Sequence, residues 1–304
     1  MGDLLPIFVD ILLPVFALVG IGLVVGGRMG LDPAPLAKVA YYVLAPAFFL
    51  DLLRRADIET AVVTQMAVVM VVTTAILSLL GLVAGRLFHW GYSITAATVL
   101  IAVFGNVGNF GIPIVAFAFG EEALPLAGVS FLIINFAAFM IGVTAATWRT
   151  SSPGRALFRA ITTPTVAVLP IALVLNVNDI GLPLFADRAI ELMANAMIGV
   201  MLVTLGIQLA GMERPRLTTG VWVASGLRLV AAPAIAATAS TVFGLSGDPA
   251  GVTVLQSAMP AAVFAALIAI EHDLEPDFVT TVVLVSTVAS ALTLAATIAL
   301  LGAV

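Results

Sequence analysis

From Thr95 to Phe119 the chain reads as an apolar run long enough to cross a bilayer, except at its centre. There, Asn106-Val107-Gly108-Asn109-Phe110-Gly111-Ile112-Pro113 sets two carboxamides, two glycines and a proline. Glycine weakens a helix, proline removes a backbone donor and crowds the preceding turn, and asparagine competes for backbone hydrogen bonds, so the segment predicts a helix that breaks. Backbone groups freed by such a break cannot face lipid. They must be buried in protein or line a wet cavity, which is how discontinuous helices build midplane sites in membrane carriers. A half-helix restarting near Pro113 would offer free N–H groups and a positive dipole end to an anion. The plainer alternative is a kinked helix whose asparagines bond to neighbouring helices.

The rest of the 304-residue chain supports a membrane setting: it is 62% hydrophobic and 10% charged, with a mean hydropathy of +1.20, beyond any water-soluble domain. The net charge of -5 is spread over short loops, so no basic face for nucleic acid is expected. Without cysteine, thiol catalysis and thiolate metal sites are excluded, and His89 and His272 lie outside the middle of any span. No metal or cofactor is expected beyond a coupling proton or sodium ion. No His-Glu-x-x-His and no pair of facing aspartates is present, so the chain is not expected to be an enzyme. The first ten residues carry acids rather than a basic leader region, which predicts that the first apolar run is a retained helix.

A helix crossing about 30 Å of hydrocarbon needs roughly 20 apolar residues. That criterion predicts ten spans: Leu4 to Val25, Leu36 to Leu53, Val62 to Leu82, Thr95 to Phe119, Leu124 to Trp148, Pro164 to Leu175, Arg188 to Ala210, Leu217 to Phe243, Gly251 to Ile270 and Phe278 to Leu301. The sixth is too short unless it extends past Asn176 and Asn178 or begins before Pro164. Arg28, Lys38, Arg86, Arg149, Arg155, Arg159, Arg214 and Arg216 fall on one side, Arg54, Arg55 and Arg188 on the other. The richer side is predicted to be cytoplasmic. This implies a multi-pass protein of the cytoplasmic (inner) cell membrane with both termini outside.

The basic connection over residues 149–163 divides the chain into residues 1–148 and 164–304, five spans each. An odd number of spans per half requires the second to insert upside down, as in an inverted repeat. Pro14 with Pro170, Val62 with Leu217 and Pro113 with Pro260 recur in order at offsets between about 147 and 156 residues. The last pair matters most. In the ninth span Gln256-Ser257-Ala258-Met259-Pro260 again places polar groups and a proline within a hydrophobic run. Paired interruptions at equivalent positions point to a site between two broken helices. The expected fold is therefore an all-α polytopic membrane protein of ten transmembrane helices, in two inverted five-helix repeats whose fourth and ninth helices are broken and crossed.

Candidate substrate-binding residues are Asn106, Asn109, Gly111 and Pro113 from the fourth span and Gln256, Ser257, Met259 and Pro260 from the ninth. The amides donate to a carboxylate without adding a charge to desolvate. Arg228, the one basic residue well inside a span, and Asp51 are candidates for proton or charge coupling. Against those roles, Arg228 would snorkel or pair with an acid, and Asp51 would form an interfacial ion pair with Arg54 and Arg55. Asp10 is a shallower candidate of the same kind. Asn135, Asn195 and Gln208 are expected to bond between helices, and Ser286, Thr287, Ser290 and Thr293 to permit close packing in the tenth span, with lining of a pathway as the alternative. The acids from Glu271 to Asp277 are expected in a solvated cytoplasmic loop.

These residues resemble the auxin efflux carrier family. The resemblance rests on Tyr42-Val43-Leu44-Ala45-Pro46-Ala47, the Asn106 to Pro113 segment, Leu227-Arg228-Leu229 with Pro233, Met259-Pro260-Ala261-Ala262, and Ser286-Thr287 with Ser290 and Thr293, in the family's order along nearly the whole chain. It implies a scaffold domain and a transport domain, broken helices crossing at Pro113 and Pro260, elevator-like alternating access, an organic-anion substrate and a homodimer formed through the scaffold. The long cytoplasmic loop of plant members is absent, which puts their phosphorylation control in doubt here. The partners expected are thus a small organic anion and membrane lipid, with no nucleic acid. A secondary transporter, exporting a small carboxylate, is the leading expectation. A sodium-coupled organic-anion symporter of the bile-acid type is the runner-up, although no acid lies at either interruption. A channel, and a receptor or structural module without transport, stand further off.

Overall fold

A computed structural model describes residues 4–138, 140, 164–212, 215–271 and 274–302. In chain order its helices are α1 (Ile7–Met29), α2 (Ala34–Arg54), α3 (Thr60–Leu87), α4 (Tyr92–Val103), α5 (Val107–Phe119), α6 (Leu124–Ala138), α7 (Pro164–Val177), α8 (Leu184–Ala210), α9 (Thr219–Val242), α10 (Gly247–Ser257), α11 (Val263–Glu271) and α12 (Pro276–Leu301). Six of them, α1, α2, α3, α8, α9 and α12, run 21 to 28 residues and are long and apolar enough to cross a bilayer. The chain is a polytopic, all-helical membrane protein. The basic connection over residues 149–163, Arg214, His272 and the end of the run from Leu124 to Trp148 lie outside the described residues.

Two apolar runs expected to be broken are broken. Tyr92–Val103 and Val107–Phe119 share one run, and Gly247–Ser257 and Val263–Glu271 share another. The position of the first break differs from the expectation. The helix stops at Val103 and restarts at Val107, not near Pro113, which instead lies in the body of α5. The reason recurs elsewhere in the chain. A π-helical turn precedes each of four prolines: Ile7–Leu12 before Pro14, Ala40–Leu44 before Pro46, Val107–Gly111 before Pro113 and Leu227–Ala231 before Pro233. The wider turn makes room for the proline ring and for the hydrogen bond it cannot donate, so the helix continues through it. Pro170, paired with Pro14 in the sequence, sits inside α7 without such a turn.

The run expected over Pro164 to Leu175 becomes a helix ending at Val177, which takes in Asn176. Its end is fixed by side chains. Asn176 Nδ2 donates to the carbonyls of Arg54 (3.1 Å) and Ala56 (2.8 Å). Beside it, Asp51 pairs with Arg54 (2.6 Å) and Arg55 (3.2 Å), as the ion-pair reading expects, and Asp187 joins both arginines. The cluster ties the ends of α2 and α7 to the start of α8.

Packing separates into two groups. Helices α1, α2, α7 and α8 pack chiefly on one another, whereas α3 to α6 and α9 to α12 pack around the two breaks. Within the first group the α1–α8 seam is closed by glycine. A methyl on Gly22 would overlap the Val203 carbonyl, one on Gly206 the Val19 carbonyl, and one on Gly26 would press on Ile207. Small residues let helix backbones approach where hydrophobic burial offers little drive. Phe16 of α1 meets Phe110 of α5 edge to face, with ring centroids 5.4 Å apart, one of the contacts between the groups.

Candidate functional site

The two breaks cross each other. Asn106 N donates to the Pro260 carbonyl (2.7 Å) and Ala262 N to the Phe104 carbonyl (2.9 Å), which forms an antiparallel bridge between Gly105 and Ala261. The freed backbone therefore pairs with the other break's freed backbone, away from lipid. The crossing pairs Asn106 with Pro260 and Gly105 with Ala261. Ala261 N donates to Ser286 Oγ (3.1 Å), so α12 supplies a further acceptor. The sequence reading had Ser286 as one of four packing or pathway-lining hydroxyls, because nothing in a hydroxyl-rich helix marks which one faces a break.

Four half-helices end or begin here. α4 and α10 arrive with their carbonyl ends, and α5 and α11 depart with their N–H ends, so negative and positive dipole ends meet. Arg228 of α9 reaches the carbonyl ends. It is 2% exposed, and its guanidinium donates from Nε to Met259 O (2.8 Å), from Nη1 to Ala102 O (2.9 Å) and from Nη2 to Ser257 O (2.8 Å). The rigid fork of guanidinium donors suits three acceptors fixed by two helices. Gly105 makes the approach possible, since a methyl there would overlap the guanidinium. The expectation that Arg228 snorkels or pairs with an acid is overturned: it is buried, and its partners are carbonyls.

Around this latch lie amides without partners. Asn106 is 5% exposed and Gln256 fully buried, and Asn106 Nδ2, Gln256 Nε2 and Gln256 Oε1 make no hydrogen bond among the described residues. Leaving a buried polar group unpaired costs about 1–3 kcal/mol, so these amides stand apart from the hydrogen-bonded backbone beside them. Gly111 faces the Gln256 amide directly, and a methyl there would overlap Gln256 Oε1 and press on Met259. The fold thus gathers Asn106, Gly111, Gln256, Ser257, Met259 and Pro260. Asn109 is half-buried on the first turn of α5 and Pro113 buried within it. Asp51 is held apart in the cluster at the end of α2, and Asp10 lies on the first turn of α1.

Other polar residues behave differently. Asn135 Nδ2 bonds to Phe131 O of its own helix (2.7 Å), with no interhelical bond from it among the described residues, and Gln208 Oε1 likewise has no partner among them. A cleft of about 450 Å³ lies between the end of α5 and the start of α10, lined in part by Phe119, Ser240, Thr241, Asp248 and Val254. Neither Asn106 nor Gln256 lines it. No group of acids and histidines able to hold a metal occurs among the described residues.

The family model described as "membrane transport protein" matches residues 154–298, the half that carries α7 to α11, Arg228 and most of α12. The chain is similar to an uncharacterised transporter of Methanothermobacter thermautotrophicus, at 28% identity over 296 residues, 92% of this chain and 93% of the relative. It is also similar to an uncharacterised transporter of Methanocaldococcus jannaschii, at 25% identity over 206 residues, 65% of each chain.

Proposed function

We propose that the chain is a member of the auxin efflux carrier family of membrane transport proteins and, from that premise, a secondary transporter exporting a small organic anion, a carboxylate. One observation carries the reading: Asn106 Nδ2 and Gln256 Nε2 are buried donors without partners at a crossing where two helices begin. A carboxylate would accept from the amides and from the first N–H groups of α5, with no acid at the crossing to repel it. Paired breaks in the two halves of the chain support ten spans arranged as two inverted five-helix repeats, residues 1–148 and 164–304. The α1, α2, α7 and α8 group would be the scaffold. The helices around the crossing would be the moving part, carrying the anion in elevator fashion. The positive-inside bias favours the cytoplasmic membrane with both termini outside. A homodimer through the scaffold completes the reading.

The test is flux in proteoliposomes, with a panel of radiolabelled mono- and dicarboxylates under imposed proton or sodium gradients, for wild type, Asn106→Ala and Asn109→Ala. Saturable carboxylate flux that these substitutions abolish in folded protein is the expected result. Flux unchanged by both would move the site elsewhere, and no carboxylate flux under any gradient would remove the cargo assignment.

A further inference from the structure

Two of the four helix ends at the crossing are carbonyl ends, and these are the groups that hold a coupling sodium ion where discontinuous helices meet. In this chain they are already occupied. Ala102 O, Ser257 O and Met259 O, from both interrupted runs, all accept from the one guanidinium of Arg228 at 2.8 to 2.9 Å. No carboxylate of the described residues pairs with that guanidinium, and an arginine keeps its proton in a protein, so the charge is fixed. Gly105 leaves room for the guanidinium and nothing else, since any side chain there would collide with it.

We infer that Arg228 is a tethered cation standing where a coupling metal cation would bind, so that this chain works without sodium. The inference builds on the transport reading above and extends it to the driving ion. The carbonyl ends of α4 and α10 are neutralised permanently by α9, and only the N–H ends and the amides of Asn106 and Gln256 remain for cargo. Arg228 is then a positioning residue. It binds no substrate, but it fixes which sign of ion the crossing accepts.

Thermal unfolding of the full chain in detergent, in sodium chloride against choline chloride, tests this without any cargo. Wild type and Arg228→Lys are expected to melt alike in the two salts. Arg228→Ala opens the carbonyl site, so sodium is expected to shift its unfolding equilibrium about tenfold once the ion is present at about ten times its Kd. Arg228→Met fills the space without charge and is expected to gain nothing. An Arg228→Ala protein that no alkali cation stabilises over choline, or that stays unfolded in all of them, overturns the inference. An equal sodium effect in wild type or in Arg228→Met does so too, as does sodium-dependent carboxylate flux by wild type. Absence of any wild-type carboxylate flux would instead overturn the cargo reading, and the melting experiment would still decide the role of Arg228.

Discussion

The α1–α8 seam and the α4/α5–α10/α11 crossing bring backbones together in opposite ways. At the seam, Gly22, Gly26 and Gly206 remove side chains so that two unbroken helices touch, and no polar side chain is needed. At the crossing, the helices give up their own hydrogen bonds and exchange them: Asn106 N with Pro260 O, Ala262 N with Phe104 O, and Arg228 with three carbonyls. The seam is closed by direct backbone contact. The crossing satisfies its backbone yet leaves the Asn106 and Gln256 amides unpaired. Contact closeness therefore does not separate the two joints; the unpaired amide donors do, and the proposed binding role rests on them.

The contrast predicts a graded set of responses. Gly206→Val drives a branched side chain into the Val19 carbonyl and should cost about 3 kcal/mol or more, seen as a large fall in melting temperature or loss of monodisperse protein. Ser286→Ala leaves Ala261 N without its acceptor inside the crossing and should cost about 1–3 kcal/mol in the same measurement. Asn106→Ala should behave in the reverse sense: its Nδ2 has no partner among the described residues, so melting does not fall while carboxylate affinity drops about tenfold, or about 1.4 kcal/mol. A destabilised Asn106→Ala protein with unaltered affinity would erase the distinction between the two joints. Arg55→Ala, on a half-exposed ion pair, should cost less than about 1 kcal/mol and leave flux intact.

The sequence made some of this readable and hid the rest for physical reasons. Two polar interruptions of apolar runs were visible because asparagine, glutamine and proline are conspicuous among leucines and valines. The place where the first helix stops was not, because a proline looks like a break whether or not a π-turn absorbs it. Phe104 and Gly105, where the helix does stop, carry no signal except the glycine, whose purpose appears only when Arg228 is seen against it. Arg228 itself was conspicuous as a lone charge in an apolar run. Its partners were not, because backbone carbonyls are the one set of acceptors that no sequence names. Ser286 shared this problem among several hydroxyls on α12.

The π-turns impose a constraint of a different kind on how the chain can vary. Each closes its hydrogen bonds over one more residue than an α-helix does, and one residue of α-helix corresponds to a rotation of about 100°. Deleting any single residue between Val107 and Gly111 would let the turn close to α geometry and swing one side of it round against the other, so that Gly111 no longer faced Gln256 when Asn106 held its place. Such a protein would keep its composition, its hydropathy profile and its number of spans almost unchanged. It would lose only the angular phase between the two halves of the crossing, a quantity set by counting residues rather than by their chemistry.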